Sequence, residues 1–185
     1  RFPFVVRLPA QHANKDMTMA KTKTLDDLFL DTLKDIYYAE KKILKALPKM
    51  AKGARNAKLK AGFEKHMAQT EDQIDRLERI FELIGQTARG KTCEAIEGIL
   101  EEGNSVLEDY KGSPAGDAGL ISSAQAVEHY EITRYGTLKR WAETLGHKEA
   151  VDLLDQTLQE ESDTDEELST IAEDANLTAK EGIAA

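Results

Sequence analysis

From Thr24 onward, apolar residues recur every three to four positions. A helix turns about 100° per residue, so this recurrence lines them up as stripes. Leu25, Phe29, Ile36, Ile43 and Leu47 form the first stripe, and Leu59, Phe63, Leu77, Ile80 and Ile84 the second. Thr92 to Tyr110 repeats the spacing over a shorter length with Ile96, Ile99, Leu100, Val106 and Leu107. Ile121, Ala124, Ile132 and Ala142 set a fourth face, and Ala150, Leu154, Leu158, Leu168 and Ala172 a fifth. The end signals agree with these stripes. Thr24 and Asp27 make a capping box, so the first helix starts there and runs to about Ala54, kinked near its end by Pro48. Asn56 caps a second helix that reaches about Ile84 and is ended by Gly85. The run "KGSPAGDAG" is a break, with Ser113 as cap and Pro114 at the first helical position of the next helix. That helix runs to Leu145, Gly146 ends it, and the last helix extends from about His147 to Asn176.

No stretch carries a strand signal of weight. The order long, long, short, long, long predicts an all-α protein: an antiparallel four-helix bundle of two hairpins joined by a short connector helix. The two halves show no internal repeat. Residues 21–177 make up the bundle, and 178–185 belong to a frayed tail. Residues 1–20 are read as a leader, disordered or not native. Their five-residue apolar patch is too short for a signal-peptide core, and "MAKTKTLDDLF" resembles a natural start.

The polar residues inside the stripes change the picture. Glu40 lies within the first stripe; His66, Thr70 and Gln73 fill the middle of the second. In the fourth segment Gln125, Glu128 and Tyr135 lie on the apolar face, with Glu131 on its shoulder. Glu161 and Asp165 sit at the centre of the fifth stripe, while Glu160, Asp163, Glu166 and Glu167 point away. A single inward glutamate is most often a bundle-edge residue or half of an ion pair. Here four helices each place polar residues near their middles, and antiparallel packing brings those middles to one level. Buried carboxylates without partners are too costly to stand alone, and the stripes offer no Lys or Arg at that level. A divalent metal pair bridged by carboxylates and completed by His66 resolves the conflict. Oxygen-rich donors with one imidazole suit iron or manganese, and inward glutamates with histidine are the ferritin-like dimetal arrangement.

Composition narrows the partners. Twenty-five basic against 34 acidic residues give a net charge of −9, spread along the chain. That argues against a nucleic-acid surface, which needs a basic stripe, and makes cations the natural small partners. No apolar run approaches the length that spans a bilayer. The single Cys93 excludes an intrachain disulfide and fits a reducing cytoplasm. It is read as a structural thiol at the start of the connector, His129 as a helix–helix or dimer-edge residue, and Tyr135 as a packed tyrosine with its hydroxyl on a carboxylate.

Five blocks carry a resemblance: "DIYYAEKKILKALPKMAKGA", "FEKHMAQTEDQIDRLERIFE", "KTCEAIEGILEE", "AQAVEHYEITRYGTL" and "LLDQTLQEESDTDEELSTIA". In this order, over about Thr24 to Ala175, the chain resembles the YciE/YciF family of small bacterial ferritin-like proteins. The resemblance implies a stress-associated bundle with a dimetal site, forming a homodimer. It implies metal ligands at Glu40, His66, Glu128, Glu131, Glu161 and Asp165, supported by Thr70 and Gln73; the apolar face of the fourth segment adds Gln125 and Tyr135 beside them. One departure matters: ferritin-like enzymes have Glu-x-x-His on the second helix, and here no inward carboxylate accompanies His66. The fifth helix likewise has Asp165 where relatives outside this family often have His. The second metal position is therefore expected to be the weaker. The expected function is stress protection by a dimetal carboxylate centre acting on oxygen, peroxide or ferrous iron. The alternatives are a bundle that only sequesters or senses iron, and a scaffold whose polar layer sets helix register.

Overall fold

In the computed structural model, residues 22–182 are described. The leader assigned to residues 1–20 lies outside them. Five helices follow: α1 Leu25–Gly53, α2 Ala57–Leu83, α3 Glu94–Asp109, α4 Gly116–Leu145 and α5 Lys148–Glu181. α1 packs along α2 and α4 along α5, forming two hairpins; α1 also meets α4, and α2 meets α5, which closes the bundle. α2 and α4 thus face each other across its centre. The connector α3 lies outside this square, against α4 and α1.

The chain ends its helices largely where local chemistry requires. Thr24 accepts the Asp27 amide while Asp27 takes the Thr24 amide, closing the capping box. Asn56 accepts from Lys58 and Leu59 at the start of α2. Gly85 and Gly146 adopt φ of 68° and 80°, left-handed values that stop α2 and α4 at little cost. Pro48 lies inside α1, about one and a half turns before its end at Gly53.

Two boundaries differ from expectation. Ser113 does not cap α4, which starts three residues later, at Gly116. The Ser113 carbonyl accepts from Gly116, so Ser113 and Pro114 form a turn that precedes the helix. Asp117 in the first turn of α4 reaches back to the other hairpin and accepts the Arg55 and Asn56 amides, each at 2.9 Å. α5 continues past Asn176 to Glu181: Ala175 stays buried, Lys180 complements the carboxyl end, and Gly182 terminates it at φ 69°.

Apolar layers fill the bundle at both ends. Phe29, Leu33, Leu77, Ile80, Phe81, Leu138 and Leu154 pack at one end; Ile43, Leu47, Leu59, Phe63, Ile121 and Leu168 at the other. Burying a side chain of this size stabilises by roughly 1.5–3 kcal/mol. The face of α4 is rotated from the expected one. Ile132 is only half-buried and lies outside the core, while Val127, Glu131 and Leu138 turn inward. Four residues advance a helix by about 400°, which carries Ile132 some 40° beyond Glu128 and off the seam. Leu25 is also only half-buried.

Candidate metal centre

Between the apolar layers lies a polar one. α1 contributes Glu40, α2 His66, α4 Glu128 and Glu131, and α5 Glu161, none more than 3 % exposed. The three-residue spacing of Glu128 and Glu131 puts both on one face of α4, with Tyr135 a turn beyond. His66, Glu128, Glu131 and Glu161 each offer one ligand atom, and these atoms all lie within 4.8 Å of one another. His66 Nε2 is 3.6 Å from a Glu128 oxygen and 4.0 Å from a Glu161 oxygen. Glu40 adjoins the group: Tyr135, fully buried, donates its hydroxyl to one Glu40 oxygen.

The layer is incomplete in hydrogen bonds. Both ring nitrogens of His66, both oxygens of Glu131, and one oxygen each of Glu40, Glu128 and Glu161 are buried without a partner. Each such atom costs roughly 1–3 kcal/mol, more when charged. The electrostatics respond accordingly. Burial, then the charge of Glu161, pushes the Glu40 carboxyl up to about 8. Burial raises Glu128 to about 7, and raises Glu131 and Glu161 well above the ordinary range, reinforced by the neighbouring carboxylates. Burial also lowers His66 to about 4, so near neutral pH its imidazole is uncharged and one ring nitrogen keeps a lone pair free to ligate. Unpartnered oxygens and nitrogen converging in this way fit a divalent cation, which supplies the missing charge and bonds at once.

The supporting residues divide sharply. Gln73 donates to Glu161 and, at 3.2 Å, to Glu160. Thr70 donates instead to the His66 carbonyl, tightening its own helix. Gln125 and Asp165 bond to each other at 3.0 Å away from the group, with Ser169 and the exposed His129 completing that cluster. Asp165 therefore stands apart from the four clustered residues. It follows Glu161 by four positions, which rotates it about 40° toward the α4–α5 edge. Glu131, expected on the shoulder, is instead fully buried.

Arg76 went unnoticed in the sequence, and Glu160 was expected to point away. Arg76 clasps Glu160 with two bonds of 2.6 and 2.7 Å and also donates to Thr157. Glu160 thus turns toward α2 rather than away. The spacing of Arg76, three after Gln73, was the available signal, because it places the guanidinium on the same side one turn on. Cys93 is buried, caps α3 through the Ile96 amide, and lies 3.2 Å from the Tyr130 hydroxyl.

Four long helices around a buried histidine–carboxylate layer define a ferritin-like bundle protein. Residues 24–181 match the family described as a domain of unknown function (DUF892), and the chain belongs to that family. It is 42 % identical to Protein YciF of Escherichia coli (strain K12) over 151 residues, 81 % of this chain and 91 % of that one. The crystal structure of the E. coli stress protein YciF matches with a TM-score of 0.80 at 41 % identity, covering 83 % of this chain and 98 % of that one. YcfI from Rhodopseudomonas palustris matches with a TM-score of 0.79 at 43 % identity, covering 82 % and 97 %. The chain is thus a YciF-like member of a stress-protein family, and no described helix is long and apolar enough to cross a membrane.

Proposed function

We propose that the polar layer holds iron or manganese and that the protein protects cells under stress through oxygen, peroxide or ferrous-iron chemistry. The observation that carries this reading is the set of four buried ligand atoms within 4.8 Å, left with unsatisfied oxygens and nitrogens and no cationic side chain among them. His66, Glu128, Glu131 and Glu161 would hold the first ion. Glu40, with the shared glutamates, would hold a second, and Asp165 would enter only by turning from Gln125. When bound, the metal supplies open coordination positions for an oxidant. The chain's own contribution is orientation. Gln73 holds Glu161, Tyr135 holds Glu40, and Arg76 sets a positive charge behind Glu160. The reading extends to a homodimer in a reducing cytoplasm, consistent with a thiol kept buried at Cys93. Elemental analysis of protein purified without chelator tests it. Bound iron or manganese, with melting raised by either ion, is expected; protein that holds no iron or manganese and melts unchanged on adding either would end the proposal.

A second reading, metal sequestration or sensing without turnover, is supported by the lopsided donor set. His66 is the one imidazole among the clustered residues, and Glu40 and Glu161 each already accept a protein donor. Sustained turnover of peroxide or ferrous ion by the loaded protein would exclude it.

A further inference from the structure

A cavity of about 40 Å³ lies between α1, α2, α3 and α4. Ile43, Phe63, Ile99, Leu100 and Val127 give it an apolar wall. Its more exposed lining residues include Met50, Asn104 and Ser123; its deepest polar ones are His66 and Glu128. The outer polar groups are already engaged. Ser123 donates to the Gly119 carbonyl, and the Asn104 oxygen accepts from Lys49 at 2.9 Å. Among the buried polar atoms of the lining, those without a partner lie at the inner end, on His66 and Glu128, which are 3 % and 2 % exposed.

That distribution selects the occupant. The volume suffices for about two water-sized molecules, but a trapped water needs two to four polar partners. Most of this wall offers none. A ferrous ion or an anion would lose its hydration shell there, and hydrogen peroxide would lose its hydrogen bonds. A small apolar gas loses neither. We propose that this cavity binds dioxygen and presents it to the His66–Glu128 edge of the metal layer. The presenting role rests on the metal reading above; the gas site itself rests on the cavity. The connector α3 supplies one wall through Ile99, Leu100 and Gly103, which gives this helix a part in choosing the oxidant. At Gly103 a Cβ would lie 3.4 Å from Ser123 and 3.9 Å from Met50, so an added side chain can be accommodated there and narrow the space.

The test uses dissolved dioxygen, which is paramagnetic, and metal-free full-length protein with labelled methyl groups. Under oxygen pressure, the methyls of Ile43, Ile99, Leu100 and Val127 should relax several-fold faster than those of Ile80 and Leu154, buried outside the cavity. Equal enhancement at both sets would overturn the proposal. Gly103→Val, with Ala46→Leu as an independent second variant, should reduce the excess several-fold. A folded variant that keeps it in full would also overturn the assignment. Anaerobic titration with ferrous ion and with manganese separates the two readings. Enhancement without binding of either ion leaves the gas site and removes its presenting role together with the metal reading. Binding of either ion without enhancement does the reverse.

Discussion

Metal-free protein should lose stability as the pH rises from about 5.5 to about 7.5. The Glu40 carboxyl stands at about 8 and Glu128 at about 7, both raised from 4.5. A folded pKa above the unfolded one means that the native state holds its proton more tightly. The resulting stabilisation is complete below about 4.5 and is lost as the pH climbs through the folded value. Between those limits each group removes about 1.4 kcal/mol per pH unit. Across two units Glu40 alone accounts for about 2–3 kcal/mol. Glu128 adds less than a full share, because neighbouring carboxyls titrate as a set. His66 acts in the opposite sense. Its pKa is lowered to about 4, so its contribution is complete above about 6.5 and is lost as the pH falls through 4. His66 offsets only one of the two carboxyls between pH 4.5 and 6.5, so stability should peak near pH 4.5 and fall above it. With about 2–4 °C for each kcal/mol in a domain of this size, melting should fall by roughly 10 °C over the interval. Differential scanning calorimetry of chelator-treated protein measures this directly. Added manganese should flatten or reverse the slope, since metal displaces the same protons. Metal-free melting that is level or rises over this interval would refute the reasoning.

Other expectations follow from single contacts. Glu161→Gln should weaken metal binding at least tenfold by calorimetric titration, while raising metal-free melting at pH 7.5 by removing a buried carboxyl. Tyr135→Phe leaves the fully buried Glu40 without its donor, and urea unfolding of the metal-free protein should show a loss of about 1–3 kcal/mol. Gly119→Ala places a methyl 2.6 Å from a Val106 methyl, so the Val106 side chain or α3 must yield, costing about 1–3 kcal/mol in the same assay. Asp117→Ala frees the Arg55 and Asn56 amides, and hydrogen exchange at the α1–α2 corner should quicken.

The bundle was legible because stripe and cap signals coincide in it. Thr24, Asn56, Gly85 and Gly146 end their helices by purely local bonds, which a sequence displays. Ser113 failed as a cap because the start of α4 is set by Asp117 reaching another hairpin, a contact no local pattern encodes. The layer of Glu40, His66, Glu128 and Glu161 was readable because each interrupts an apolar stripe. Asp165 and Ile132 show the limit of that approach. A 40° drift separates a lining residue from an edge residue, and spacing alone does not say where a seam's centre lies. Glu160 and Arg76 escaped for a further reason: a half-buried pair satisfies itself and leaves no anomaly in either stripe.

The buried polar layer draws on both hairpins, His66 and Glu40 from the first, Glu128, Glu131 and Glu161 from the second. A bound ion would therefore act as a rivet between the two hairpins. Starved of metal at neutral pH, the halves would part more often and expose their inner faces to proteases. Cellular lifetime of the protein would then follow metal supply, and abundance itself would become a readout of the ion it carries.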